Sequence, residues 1–501
     1  MEQLDLLMQG FAGALTPMNL LWVVVGCLLG TAVGVLPGMG SSMAVALLLP
    51  MTFALDPTAA FILFAGVYFG GLFGDSTMAI LLNTPGQASA IASTFEGHRM
   101  ANDGRAPQAL ATAAIGAFIG GMVASVLVVF LSPALVALSA SFGPAEFFAL
   151  ALFAFVATSS VVADNVLKGL AALVLGIGIT LVGIDGVSGM ERFTGGAPQL
   201  FDGISLVTVT VGILALGEVF SVASRVRRDR EDLQIRAAGR PFLSRHELAE
   251  AAPAWGRGTL IGLPFGVVPA GGAEVPTFLA YEAERRLDRR RRVPMFGKGA
   301  IRGLAAPEAA GNATTGMAMG ALLALGLPVS ATAAIMLAAF RQYGLQPGPL
   351  LFDRSPELVW ALLASFFLAM VVLLIINLPF AQLWSKLLLI PKPYLYGGIT
   401  LFCGLGIYAT SGAVFDLLLL LAVGVLGFVM RRYDYPLAPL MIGMVLGPLA
   451  ESSLRDALLS SVGDPRVLVS SPITIGIYVL LAVVIALSVR AAVRRRTRRD
   501  V

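Results

Sequence analysis

Apolar runs recur along nearly the whole chain, and two of them are broken in mid-run by proline and glycine. The first, residues 19–55, is interrupted by Pro37-Gly38-Met39-Gly40, leaving two limbs that are each shorter than the roughly twenty residues of a full bilayer crossing. This predicts a re-entrant hairpin, with two short or tilted helices as the alternative. The next run, residues 59–82, leads into Asn83-Thr84-Pro85-Gly86, where Pro-Gly stops a helix and leaves its last carbonyls free. Crossings are then read at 109–131, 147–162, 167–183 and 203–223. In the second half, residues 258–281 break at Pro269-Ala270-Gly271-Gly272 and residues 311–343 break at Gly326-Leu327-Pro328. Further crossings follow at 358–379, 394–410, 414–430, 437–449 and 473–492. Gly30, Gly34, Val35, Pro37 and Gly40 are answered by Gly262, Gly266, Val267, Pro269 and Gly272. Breaks that recur at corresponding places in two halves point to a transporter's binding site.

The element lengths predict an all-α polytopic membrane protein, and composition agrees. The chain is 57% hydrophobic and 13% charged, about half the charge of a soluble domain, and its mean hydropathy is +0.85. The first residues, MEQLDLLMQG, carry acids and no Lys or Arg, unlike the basic start of a secretory signal. The net charge of +4 comes from basic segments at 225–257 and 285–302 and from the tail at 494–499, which the positive-inside rule places in the cytoplasm. The loop at 184–202 has little positive charge and is expected outside. Residues 258–281 therefore enter and leave on one face, as a hairpin does. Counting back from an inside tail puts the amino terminus outside and gives the first half an odd number of crossings. The expected organisation is two inverted repeats, residues 1–224 and 258–501, joined by a basic cytoplasmic linker at 225–257. Nucleic acid is not implied by the charge. Cys27 and Cys403 read as small packing residues, His98 and His246 as solvated loop histidines, and Trp22, Trp255, Trp360 and Trp384 as residues of the interfacial belts.

A broken helix in lipid leaves backbone amides that must find a partner, and opposed tips with helix N-termini suit an anionic carboxylate. The expected substrate contacts are Pro37, Gly38, Met39, Gly40, Ser41 and Ser42 at the first tip, with Asn83, Thr84 and Gly86 at the following break. Ala270, Gly271, Gly272 and Ala273 are their counterparts at the second tip. Neutral oxygens of Ser76, Thr77, Asn312, Thr314 and Thr315, with the carboxylates of Asp75 and Glu274, are the expected cation contacts, Glu274 being read equally as a proton or cation site and as a water-exposed neighbour of the basic loop. Sodium is the expected coupling ion, a proton the alternative, and no other cofactor is implied. Neither tip shows an obvious buried arginine. The many scattered glycines are read as close helix packing. An intramembrane enzyme using Asp75 with Asp434 is the rival reading. Asp434 follows Arg431 and Arg432 at a span end, and no Gly-x-Ser-x-Gly, His-Glu-x-x-His or P-loop motif is present. A channel is disfavoured by the paired broken helices.

In their order along the chain, several motifs resemble the large membrane subunit of the tripartite tricarboxylate transporters, the TctA family. These are GVLPGMG (34–40), GDSTMAILLNTPG (74–86), FEGHRMANDGRAPQAL (95–110), GIDGVSGMERFTGG (183–196), FGKGAIRGLAAPEAAGNAT (296–314) and YPLAPLMIGMVLGPLAESSLR (435–455). The resemblance implies a multi-pass permease of the bacterial inner membrane that takes carboxylates from a periplasmic, TctC-like binding protein. It also implies a small TctB-like membrane subunit, a cation gradient as driving force and an elevator-like movement of the hairpins. The chain departs from the family's pattern at Pro269-Ala270 and at Gly74-Asp75-Ser76. A permease that needs no binding protein is the alternative within the transporter reading.

Overall fold

A computed structural model describes residues 2–36, 39–83, 85–161, 166–185, 188–224, 242–268, 272–291, 293–380, 384 and 392–497. The first half runs α1 (Glu2–Ala14), α2 (Pro17–Gly34), α3 (Ser41–Thr52), α4 (Pro57–Leu82), α5 (Ile91–Met100), α6 (Ala106–Ala140), α7 (Pro144–Val161) and α8 (Val166–Thr180). Next come α9 (Leu206–Thr210) and α10 (Gly217–Ala223), joined by a π-helical turn at Val211–Leu216. The second half begins with α11 (Arg245–Phe265), α12 (Glu274–Asp288), α13 (Ile301–Leu325), α14 (Ala331–Gln342), α15 (Pro349–Arg354) and α16 (Pro356–Asn377). It closes with helices at Lys392–Ser411, Val414–Arg432, Leu437–Ser460 and Pro472–Thr497. Among the described residues, seven helices are long and apolar enough to cross a membrane, and the strands are two dipeptides, Gly183–Ile184 and Glu191–Arg192. The chain is an all-α polytopic membrane protein, as its apolar pattern indicates.

Both breaks interrupt helix: α2 ends at Gly34 and α3 starts at Ser41, while α11 ends at Phe265 and α12 starts at Glu274. With 12 residues, α3 is about 18 Å long, well short of a hydrocarbon core of about 30 Å. The helix after each interrupted pair is buried along most of its length, Ala59–Ile80 in α4 and Ile301–Leu325 in α13. Each of these ends on a left-handed residue, Asn83 at φ 56° and Gly326 at φ 68°.

Glycine explains how the limbs reach them. A Cβ on Gly26, Gly30 or Gly34 of α2 would come within 2.3–2.5 Å of the Leu63, Val67 or Gly71 carbonyl oxygen of α4. In the second half, a Cβ on Gly258 or Gly262 of α11 would stand 2.1–2.2 Å from the Ala306 or Ala310 oxygen of α13. Small residues four apart let two backbones touch where lipid supplies no hydrophobic drive between helices. The same construction thus occurs in both halves.

Several polar readings of the sequence change in the fold. Residues 245–257, read as linker, form the start of α11, because Ser244 and Glu247 make a reciprocal capping box. The polar segment around His98 is helix α5, and His98 Nδ1 lies 3.0 Å from the Ile80 carbonyl at the end of α4, so it is not a solvated loop histidine. Trp255, Trp360 and Trp384 are buried in protein rather than displayed as a belt; Trp255 donates its indole N–H to the Thr112 carbonyl. Glu96 of α5 is wholly buried and accepts the backbone N–H groups of Gly297, Gly299 and Ala300 and the Tyr281 hydroxyl. Replacing it leaves those donors unmatched at about 1–3 kcal/mol each where water cannot reach. Glu96→Ala should therefore lower stability by about 3–5 kcal/mol, read as a fall in the thermal unfolding midpoint in detergent, with Glu96→Gln clearly milder.

Candidate functional site

Three helix N-termini and one broken connection meet around a cavity of about 450 Å³. Gly40, the N-cap of α3, contributes the first. The second is α12, whose entry through Gly272 requires φ +91°, a left-handed conformation that glycine adopts without strain. The third is α14, where the Ser330 hydroxyl accepts the Ala333 N–H. The broken connection is Gly86–Ser89, positioned by Asp75. This carboxylate is fully buried within α4 and accepts the N–H groups of Gly86 and Gln87.

Hydroxyls fasten the two halves together around the cavity. The Ser41 hydroxyl lies 3.2 Å from the Thr332 hydroxyl and donates to Gln87 Oε1 at 3.1 Å, and the Tyr68 hydroxyl is 3.1 Å from that of Ser330. The opposite wall comes from Leu214, Glu218, Arg431 and residues 436–438. Arg431 pairs with Glu218 at 2.8 Å and donates to the Ile213 and Leu214 carbonyls. The π-helical turn thus leaves carbonyls that the guanidinium satisfies.

Of the residues expected from the sequence, Gly40, Ser42, Gly86, Gly272, Ala273, Glu274 and Thr315 line this cavity. Met39 is buried beside Gly86, and Ser41 is buried in the hydroxyl link. Asn83 is exposed and serves as the left-handed cap of α4. Pro37, Gly38, Thr84, Pro269, Ala270 and Gly271 lie outside the described residues. Thr314 bonds the Gly262 and Ala310 carbonyls within the α11–α13 contact. Asp75, Ser76 and Asn312 gather at a second, much smaller cavity of about 20 Å³, together with Glu308. Thr77 lies on the far side of Ser76, near Asn377. Asp75 and Asp434 form no dyad: Asp75 is enclosed with both oxygens bonded, and Asp434 is solvent-exposed.

Sequence reasoning missed Tyr68, Gln87, Ser330, Thr332, Arg431 and Glu308. Ser330 and Thr332 were within reach, since a break at Gly326-Leu327-Pro328 must be followed by an N-cap and Ser330 is the next good one. Arg431 was not, because what makes it part of the wall is a partner more than two hundred positions earlier, Glu218. Chemically, the cavity offers partial positive charge from three N-termini, several hydroxyls, the Glu218–Arg431 pair and the Glu274 carboxylate, one oxygen of which is buried without a hydrogen bond. That suits a multiply charged, oxygen-rich anion better than an apolar guest.

Residues 20–442 match a family model described as "Tripartite tricarboxylate transporter TctA family". An Agrobacterium vitis protein described as an uncharacterized 52.8 kDa protein in the TAR-I ttuC' 3' region is 39% identical over 491 residues, 97% of each chain. A second protein of that organism, described as lying in the TAR-II ttuC' 3' region, is 37% identical over 235 residues, covering 47% of this chain and 96% of its own. No solved structure matches.

Proposed function

The chain belongs to the tripartite tricarboxylate transporter TctA family, and on that premise we propose that it is a permease importing carboxylates handed over by a periplasmic binding protein and driven by a cation gradient, with sodium as the coupling ion. The observation that carries the reading is the convergence of the α3, α12 and α14 N-termini on one hydroxyl-lined cavity of about 450 Å³. Helix N-termini hold carboxylates through free amides and dipole charge. Tri-, di- and aromatic carboxylates are all of a size for it. In the proposed cycle the two hairpins and α4, α13 and α14 move as a unit past the Glu218–Arg431 wall, in two repeats of inverted topology.

A small TctB-like membrane subunit and a TctC-like binding protein are the proposed partners, the inner membrane the proposed location, and the carboxyl terminus the proposed cytoplasmic end. Energy suffices, because each net positive charge entering gains about 2.3 kcal/mol per 100 mV of membrane potential. The test is uptake of citrate, a dicarboxylate and an aromatic carboxylate into proteoliposomes, with and without the small subunit, the loaded binding protein and an inward sodium gradient. Concentrative uptake should need all of them. Accumulation by the large subunit alone, with no ion gradient, would contradict the proposal.

A further inference from the structure

The cavity of about 20 Å³ between α4, α5, α12 and α13 has a composition that the carboxylate site does not explain. Oxygen-bearing side chains of Asp75, Ser76, Ser93, Thr277, Glu308 and Asn312 line it, and no basic side chain does. Glu308 is 4% exposed and accepts the Ser76 hydroxyl at 2.7 Å, and the Ser93 hydroxyl also reaches its carboxylate. Asn312 is 3% exposed; its amide N–H is used by the Glu308 carbonyl, which turns the acyl oxygen toward the cavity, where it has no hydrogen-bond partner. A buried, unmatched acceptor beside a buried carboxylate is costly unless something positive sits between them.

We infer that this cavity is a sodium site, separate from the carboxylate cavity, with Glu308 as its charged ligand and Ser76, Ser93 and Asn312 as neutral oxygen ligands. A single directly ligating carboxylate favours a monovalent ion. Both oxygens of Asp75 are committed to the Gly86 and Gln87 amides, leaving Glu308 as the one carboxylate free to ligate. The volume admits a single ion or water, and an all-oxygen donor set suits a hard cation. A proton would satisfy Glu308 alone and leave the Asn312 oxygen unmatched.

The position also accounts for coupling. Leu72 and Ser89 line both cavities, so an ion in the small one braces the wall of the large one. Asp75 ties the same wall to α4. The inference rests on the transporter reading only for the ion's use, not for its binding.

Binding is therefore tested without transport. The full chain, purified in detergent without carboxylate, is titrated with NaCl against choline chloride at constant ionic strength while its unfolding midpoint is followed, and the titration is repeated with KCl and across pH. Sodium should raise the midpoint saturably and potassium should not. Glu308→Gln and Asn312→Leu should each weaken the apparent sodium affinity roughly tenfold or more, whereas exposed Asp434→Asn should keep it. Unchanged sodium affinity in both folded variants overturns the site, as does a wild-type protein that responds to pH and not to sodium. Sodium binding lost in Glu308→Gln, in a protein that moves no carboxylate in any assembly, would uphold the site and refute the transport reading. Sodium-driven uptake that Glu308→Gln leaves with wild-type sodium dependence would do the reverse.

Discussion

Gly30→Leu and Gly262→Leu will yield little folded protein, whereas Gly40→Leu will insert and fold normally and transport nothing. At Gly30 and Gly262 a side chain would be driven into the carbonyl of the facing helix, with 2.2–2.5 Å to the nearest oxygen, and neither backbone can give way without separating the pair. Overpacking of that kind costs about 3 kcal/mol or more. Gly40 differs on two counts. Its φ of −87° accommodates any residue, and the nearest atom to a Cβ there is the side-chain Cγ of Gln87 at 2.8 Å, which can swing away. The leucine would then occupy the mouth of the cavity. Monodisperse elution from a size-exclusion column separates the two classes, and uptake by whatever folds completes the comparison. A well-folded, inactive Gly262→Leu protein would show that this contact serves binding rather than packing.

This contrast also marks where the sequence was legible. The breaks themselves were visible because Pro-Gly chemistry in an apolar run has few other uses, and the helix interruptions fall where it puts them. The five residues matched between the halves looked like one motif, yet they do two jobs. Gly30, Gly34, Gly262 and Gly266 are helix contacts, and Gly40 and Gly272 face the cavity. Spacing alone cannot separate these, since both need a missing side chain. Glu308 was hidden for another reason: it stands in an ordinary-looking Pro-Glu-Ala-Ala near a helix start, and only burial beside Ser76, from a helix more than two hundred residues away, gives it meaning. Asp75 was noticed as an acid in a span, but its partners are backbone amides that no sequence pattern displays.

Asp75→Ala should abolish uptake, and Asp75→Asn should raise KM roughly tenfold while leaving sodium dependence in place. In the alanine variant, the Gly86 and Gln87 amides lose their acceptor, an expense of about 1–3 kcal/mol each, and the connection that carries Gly86–Ser89 along the cavity wall is released. Asparagine keeps one oxygen for one amide and gives up a charged hydrogen bond, a loss of about 1.5 kcal/mol, which is close to tenfold in affinity. Initial rates against substrate and sodium concentration distinguish this positioning role from ion ligation. Loss of sodium dependence in Asp75→Asn, with KM for carboxylate unchanged, would instead make Asp75 the ion's ligand.

The proposed seat of the carboxylate is the point where the α3, α12 and α14 N-termini converge. Both native cysteines are buried, so a single added thiol reports alone. Ala331→Cys places it at the α14 N-terminus on the cavity wall, and Ser470→Cys, on an exposed turn, is the control. The decisive measurement is the rate at which a small thiol reagent modifies each, with and without carboxylate in the presence of sodium. The account predicts that a transported carboxylate slows modification of Ala331→Cys and leaves Ser470→Cys unaffected. Equal rates at Ala331→Cys with and without a carboxylate that the same protein demonstrably transports would contradict it.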